Sequence, residues 1–398
     1  MKILQVISYG YLAGGAEKSV LFLKEKLEEC GHQVVVISSD HDKNSTAQRL
    51  SDVEFPEIDR PGTSLIAKAF HHLWYMPSYQ AIKAMIAEFG PDIVHFHTMG
   101  QLSPSALFAL GRVPGVLTVH GPEEYTTSIL EWGLPQQLFV NGQVAVTKLT
   151  ALGKAYYAYF RSIQRPIYAY GFRKHLKAMI APSRYMAKTL EKERYGVPVH
   201  QLYNGIELPK STPIKNRHRL LYVGRLEYVK GVDVLLKALP KVLRHIPNIH
   251  LSIVGDGTVR PELEAFVGRN RLQEHVTFHG WLDSRAVHKQ YAETTAVVIP
   301  SIWPENLPTV CIEALASGRP VIGTDSGGIP ELIQDEVTGR IVDKGDYTGL
   351  AKAIMSVLSE HDIETVARAC AASMQDFTVA TFVKNLEHLY HQVSDGSG

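Results

Sequence analysis

The chain has 398 residues, 45% of them hydrophobic and 20% charged, which excludes a disordered polymer and, at about 150 residues per domain, a single ordinary core. Forty-one basic residues stand against 40 acidic ones, so net charge gives no global reason to expect nucleic acid. Cys30, Cys311 and Cys370 form neither a metal spacing nor a disulfide framework, and a reducing cytoplasm is the default.

The start of the chain is too soon broken by Gly10 to read as a signal peptide, and no segment supplies the roughly 18 consecutive apolar residues of a membrane span. A soluble or peripheral protein is expected. Residues 3–7 read as a strand, 16–30 as an amphipathic helix closed by Gly31, and 34–38 as a second strand. Short apolar strands at 92–97, 115–120 and 178–182 continue the pattern between helices. The alternation restarts with strands at 220–223, 249–254, 276–278, 296–299, 320–324 and 339–342. Such alternation predicts an α/β protein with two doubly wound parallel sheets. The proline-broken polar run Pro209-Lys210-Ser211-Thr212-Pro213 sets the boundary near Glu207, giving domains at 1–207 and 208–374.

Several groups could carry chemistry. Gly14-Gly15-Ala16 opens the first helix, where glycine permits close backbone approach and the helix N-terminus favours an anion. Gly10, Gly14 and Gly15 lack the spacing of a dinucleotide fingerprint, and Gly255-Asp256-Gly257 lacks its third glycine. His95 and His97 alternate with Val94 and Phe96 on a strand and read as structural or cleft-lining. His120 ends the next strand. None of these histidines comes with a carboxylate or cysteine at ligand spacing, so no metal is expected.

Between Trp132 and Leu190 there is no acidic residue, while Lys148, Lys154, Arg161, Arg165, Arg173, Lys174, Lys177, Arg184 and Lys188 are interleaved with Tyr156, Tyr157, Tyr159, Phe160, Tyr168, Tyr170 and Phe172. The pattern suits contact with an anionic membrane or an amphipathic acceptor near 156–177. Core or oligomer packing of the aromatics suits it equally. In the second half, residues 224–231 (Gly224-Arg225-Leu226-Glu227-Tyr228-Val229-Lys230-Gly231) follow a strand, and Arg225 and Lys230 can reach one diphosphate from that loop.

The most telling stretch is 301–318. Glu305 and Glu313 stand eight positions apart between the strand 296–299 and a helix that Pro308 suits in its first turn and Gly318 stops. Glu305 then lies on the strand-to-helix loop and Glu313 about one and a half turns into the helix. That spacing, with Gly318-Arg319-Pro320-Val321-Ile322 after it, resembles the donor-sugar site of family-4 retaining glycosyltransferases of the GT-B fold, and the likeness covers almost the whole chain.

The resemblance implies two Rossmann-like domains facing across a cleft, an acceptor-side domain first and a donor domain second, with the last helix, within 375–398, packing back on the first. It implies that Glu305 meets hydroxyls of the donor sugar, Glu313 the nucleotide ribose, Arg225 and Lys230 the diphosphate, and His120 the sugar from across the cleft. Gly15, Gly224, Gly255, Asn306 and Leu307 would line the donor, with Gly327-Gly328 and Glu331 in a loop near it. Relatives often carry a small glycine-rich pair where this chain has Asn306-Leu307, which leaves the sugar open.

The implied reaction moves a hexosyl group, with retention, from a nucleoside-diphosphate sugar, UDP ahead of GDP. The acceptor is a hydroxyl of a sugar, a small molecule or a lipid-linked carrier, in cell-surface polysaccharide or glycolipid synthesis. No cofactor is implied. The rivals are a GT-B epimerase or phosphorylase, a dinucleotide-binding oxidoreductase, and an inactive binding subunit.

Overall fold

A computed structural model describes residues 1–10, 15–40, 51–56, 58, 64–99, 102–121, 139–140, 143–144, 151–215 and 217–395. Gly14 and Lys148 lie outside the described residues, as do the side chains of Tyr156, Tyr157 and Phe160. The chain divides into two compact units: Met1–Asn204 with Phe382–Gly398, and Gly205–Thr381.

The first unit holds the strands β1 (Lys2–Tyr9), β2 (Gln33–Ser39), β3 (Val53–Phe55), β4 (Ile93–Phe96) and β5 (Gly115–Thr118). A short antiparallel pair follows, β6 (Phe139–Val140) with β7 (Gln143–Val144), and then β8 (Leu176–Ala181) and β9 (Val199–Gln201). Seven of these form one parallel sheet in the order β3-β2-β1-β4-β5-β8-β9. The sequence pattern reveals the five central strands and misses β3 and β9. Both are three-residue edge strands that put a polar residue between two others, too short to show a period.

Register explains how this sheet divides its side chains. Gln5 lies opposite His95 and Val6 opposite Phe96, so successive residues face opposite sides. Leu4, Val6, Val94, Phe96 and Leu117 build the main core on one side. The other side buries a polar set, Gln5, His95, His97 and Thr118, beside Ile7, Val20 and Val36. The C-terminal helix Val379–Ser394 contributes to that side: Tyr390 OH is 2.6 Å from His95 Nδ1, and Glu387 Oε1 is 2.7 Å from His32 Nε2.

The second unit carries β10 (Arg219–Val223), β11 (His250–Val254), β12 (Val276–Gly280), β13 (Ala296–Ile299), β14 (Val321–Thr324) and β15 (Gly339–Val342). They form a second parallel sheet in the order β12-β11-β10-β13-β14-β15. Its core joins Leu220, Leu251, Val298 and Ile322 to the apolar faces of the helices Val232–Leu243 and Tyr347–Leu358. Truncating such a buried aliphatic chain to Ala costs about 2–5 kcal/mol, so each sheet face fixes the strand ends that carry the site. Two doubly wound parallel sheets are therefore the fold, as the alternation of elements predicts.

Candidate active site

The order of the second sheet places the site. From β10 the chain continues to β11 on one side, and from β13 to β14 on the other, although β10 and β13 are neighbours. The strand order reverses between them, and open α/β sheets take ligands in the crevice beyond the carboxyl ends of such a pair. The β10 loop is 224–231 and the β13 loop is 300–308. Both glutamates, Arg225 and Lys230 follow these two strands.

Backbone contacts lock the loops together. Ile302 N and Trp303 N donate to Val229 O at 2.9 and 3.2 Å. Gly255 holds φ +128°, and a Cβ there would fall 1.9 Å from Gly224 O. Gly224 N in turn donates to Val254 O at 3.0 Å. Only glycine permits this approach of the two turns. Gly327, at φ +62°, does the same for Glu305: a Cβ would fall 2.1 Å from Glu305 O, and Gly328 N donates to that carbonyl at 2.7 Å. The Gly327-Gly328 loop thus fixes the backbone of Glu305.

The side chains converge on one carboxylate oxygen. Glu305 Oε1 accepts from Lys230 Nζ at 2.6 Å and from Ser301 Oγ at 2.6 Å. The ion pair is 23% and 15% exposed on its two sides, so a carboxylate and an ammonium meet here partly out of water. Thr324 and Ser326 brace the loop below, donating to Ser301 O at 2.6 Å and Trp303 O at 2.8 Å. Tyr222, buried on β10, donates to Arg225 O at 2.8 Å. Burial first, and then the Glu305 charge, hold its phenol well above the ordinary value, so it stays a neutral donor. Arg225 itself is exposed.

Glu313 is the fifth residue of the helix Thr309–Ala316, half-buried, with its Oε2 accepting from Tyr291 OH at 3.0 Å. Burial, reinforced by the charge of Glu313, pushes the Tyr291 phenol well up. Gly318, at φ +76°, ends this helix by donating to Leu315 O at 2.9 Å. Next to it Arg319 is fully buried, donating to Tyr291 O, Thr212 O and Thr212 Oγ1, each at 2.7 Å. It ties the segment near Thr212 to the end of the helix Ser284–Glu293, which carries Tyr291. Leu307 is buried and Asn306 half-buried in the loop.

In the first unit, Gly15 begins the helix Gly15–Glu29 after β1, at that sheet's own reversal between β1 and β4. His120, half-buried just beyond β5, has its Nε2 3.2 Å from His97 Nδ1, with the rings stacked. His95 Nε2 is 2.7 Å from Thr118 Oγ1. Burial pushes His120 down to about 4 and His95 to about 3, so these imidazoles are neutral near pH 7.

Sequence reading missed Ser301, Tyr291, Tyr222 and the His97–His120 contact. Ser301 had a signal, since it lies two residues past a buried strand. Tyr291 had none, because its partner lies on another helix. Among the described residues, no group of three His, Cys, Asp or Glu is arranged to hold a metal, and no helix is long and apolar enough to cross a membrane.

Comparison with known proteins places this geometry. The model of Glycosyltransferase Family 4 matches residues 13–210 and that of Glycosyl transferases group 1 matches residues 206–372. The chain is 26% identical to the phosphatidyl-myo-inositol mannosyltransferase of Mycolicibacterium smegmatis, over 93% of this chain and 88% of that protein. It is 37% identical to an uncharacterised glycosyltransferase of Methanocaldococcus jannaschii, in a match that spans 35% of this chain and only 36% of that one. The structure of Anabaena HepE in complex with UDP superposes with a TM-score of 0.72 at 20% identity, over 98% of this chain and 100% of that one. The chain belongs to the family-4 glycosyltransferases and has the GT-B fold.

Proposed function

We propose that the chain moves a hexosyl group from a nucleoside-diphosphate sugar to an acceptor hydroxyl with retention of configuration. The observation that carries this reading is the convergence of Lys230 and Ser301 on Glu305 at the reversal of the second sheet. A cation and a fixed carboxylate at strand ends suit a ligand that presents both phosphate and hydroxyl groups. In this reading 208–374 is the donor domain and 1–207, with the helix 375–398, the acceptor side.

The bond between the anomeric carbon and the diphosphate oxygen breaks as the acceptor oxygen attacks from the same face. The acceptor proton passes to the leaving phosphate. Positive charge grows on the sugar and negative charge on the diphosphate, so Arg225 and Lys230 act most strongly in the transition state. Glu305 orders the sugar hydroxyls, Glu313 the ribose, and neutral His120 offers a hydrogen bond without adding charge to the sugar.

A UDP-sugar stands ahead of a GDP-sugar, in keeping with the UDP bound to HepE. The M. smegmatis relative, by its name a phosphatidyl-myo-inositol mannosyltransferase, supports a lipid-linked acceptor. The protein then works in the cytoplasm, at the inner face of the plasma membrane. A panel of UDP- and GDP-sugars, read by release of the nucleoside diphosphate and by NMR of the product anomer, tests the reading. Release from one donor with retained configuration is expected. Inverted product overturns the retaining step, and release from no donor, with or without acceptor, overturns the transferase reading.

A further inference from the structure

Among the described residues, nine large apolar side chains are exposed, and five of them fall in two short segments of the first unit. Phe70, Trp74 and Met76, 66%, 42% and 47% exposed, lie at the end of the helix Leu65–Leu73 and just beyond it. Ile163 and Tyr170, 45% and 51% exposed, lie before and within the helix Arg165–His175. The two segments are joined. The Trp74 ring is 5.5 Å from that of Phe108, which is 6.0 Å from that of Tyr170, and Gln164 Nε2 donates to His72 O at 3.4 Å. Trp74, Phe108 and Tyr170 thus form a connected aromatic ribbon, with Phe70 one turn before Trp74.

The segments that carry it have charge of one sign. Segments 64–87, 102–121 and 151–190 contain lysines and arginines but no aspartate or glutamate. Lys174 Nζ lies over both Phe108 and Tyr170, at 5.7 and 5.5 Å from their centroids, so a cation sits on the ribbon itself. Lys83, Arg161, Arg173 and Lys177 are exposed on the same segments. Three expected members are withdrawn: Tyr168 and Phe172 are buried in the core, and Arg165 is taken up by Glu193.

We propose that this ribbon docks on an anionic lipid surface, with Phe70 and Trp74 entering the headgroup boundary and Lys174, Arg173 and Arg161 meeting anionic headgroups. A soluble polyanion would use the cations and leave the exposed aromatic chains in water, whereas a bilayer interface uses both. The inference deepens the membrane part of the reading above and rests on it for its biological setting. Its measurement needs neither donor nor acceptor.

The test is co-sedimentation of the full chain with phosphatidylcholine vesicles and with vesicles of equal parts phosphatidylcholine and phosphatidylglycerol. Binding to the anionic vesicles alone, weakening as salt rises, is expected. Phe70→Ser and the double variant Arg173→Ser with Lys174→Ser should each weaken it by about 10-fold or more, the double variant with a flatter salt dependence. Phe70 is exposed enough that its replacement leaves folding intact, which a thermal melt checks. Nucleoside-diphosphate affinity, read separately, stays unchanged in both variants. Binding equal in wild type and folded variants, or no vesicle binding by wild type, overturns the proposal. Capture by heparin without vesicle binding also overturns it, in favour of a polyanionic glycan. Vesicle binding by a chain that turns over no donor leaves the face standing and removes the donor reading alone.

Discussion

Lys230 Nζ lies 2.6 Å from Glu305 Oε1, joining the loop after β10 to the loop after β13 across the reversal of the second sheet. The ammonium is therefore held by the carboxylate that is proposed to meet the sugar. In the proposed reaction a donor diphosphate must share or replace that partner. The pair is pre-positioned, and its members should not act independently.

Lys230→Ala and Arg225→Ala should each lower turnover by about 10²-fold or more, because the diphosphate charge they are proposed to face is largest in the transition state. Glu305→Gln should lower turnover with little change in nucleotide affinity. In the double variant Lys230→Ala with Glu305→Gln the losses should fall well short of additive, since each single change already removes the ion pair. Steady-state kinetics of the four proteins decides it, and additive losses would show two separate roles.

Tyr291 and Glu313 make a second coupled pair. Glu313→Gln should weaken nucleoside-diphosphate binding by about 1–3 kcal/mol, and Tyr291→Phe by a smaller amount in the same direction, because the carboxylate loses a donor. Turnover at saturating donor should stay near wild type in both. Normal calorimetric affinity in Glu313→Gln would detach this helix from the ribose.

The depressed imidazoles of His95 and His120 set an acid dependence. His120 and His95 titrate in the folded chain at about 4 and about 3, against an ordinary value of 6.5. Unfolding at pH 5 lets them take up protons, so the unfolded chain binds more protons and stability rises with pH across this window, levelling above 6.5. The urea midpoint of the first unit should fall on acidification below that value, and His95→Gln should flatten the fall. An unchanged slope in that variant would place the acid sensitivity elsewhere.

His120→Ala should impair transfer while activity survives a strong chelator, because no carboxylate or cysteine stands with it at ligand spacing. Activity lost on chelation and restored by a divalent ion would contradict this.

How much of this was legible in the sequence depends on how locally each feature is encoded. The central strands were, because apolar runs such as 296–299 are buried on both faces and stand out from their surroundings. The edge strands Val53–Phe55 and Val199–Gln201 were not, being short and half polar. Arg225, Lys230, Glu305 and Glu313 could be named because the stretches that carry them resemble the family's donor site, each at a strand end or on the helix after one. The contacts of Lys230 with Glu305, 75 residues on, and of Tyr291 with Glu313 depend on strand order, which no local pattern encodes. The apolar ribbon was half visible. The basic run was plain, but a sequence cannot tell exposed Tyr170 from buried Tyr168 and Phe172, and the other half of the ribbon lies near Trp74.

The central claim is that the loops after β10 and β13 bind a nucleoside-diphosphate sugar through Lys230, Glu305 and Glu313. Calorimetric titration of wild type, Lys230→Ala and Glu313→Gln with UDP, GDP and the matching sugars tests it most directly. Saturable binding of one nucleoside diphosphate, weakened about 5-fold or more in both variants, is the predicted result. No binding by the folded wild type, or equal binding in all three proteins, would contradict it.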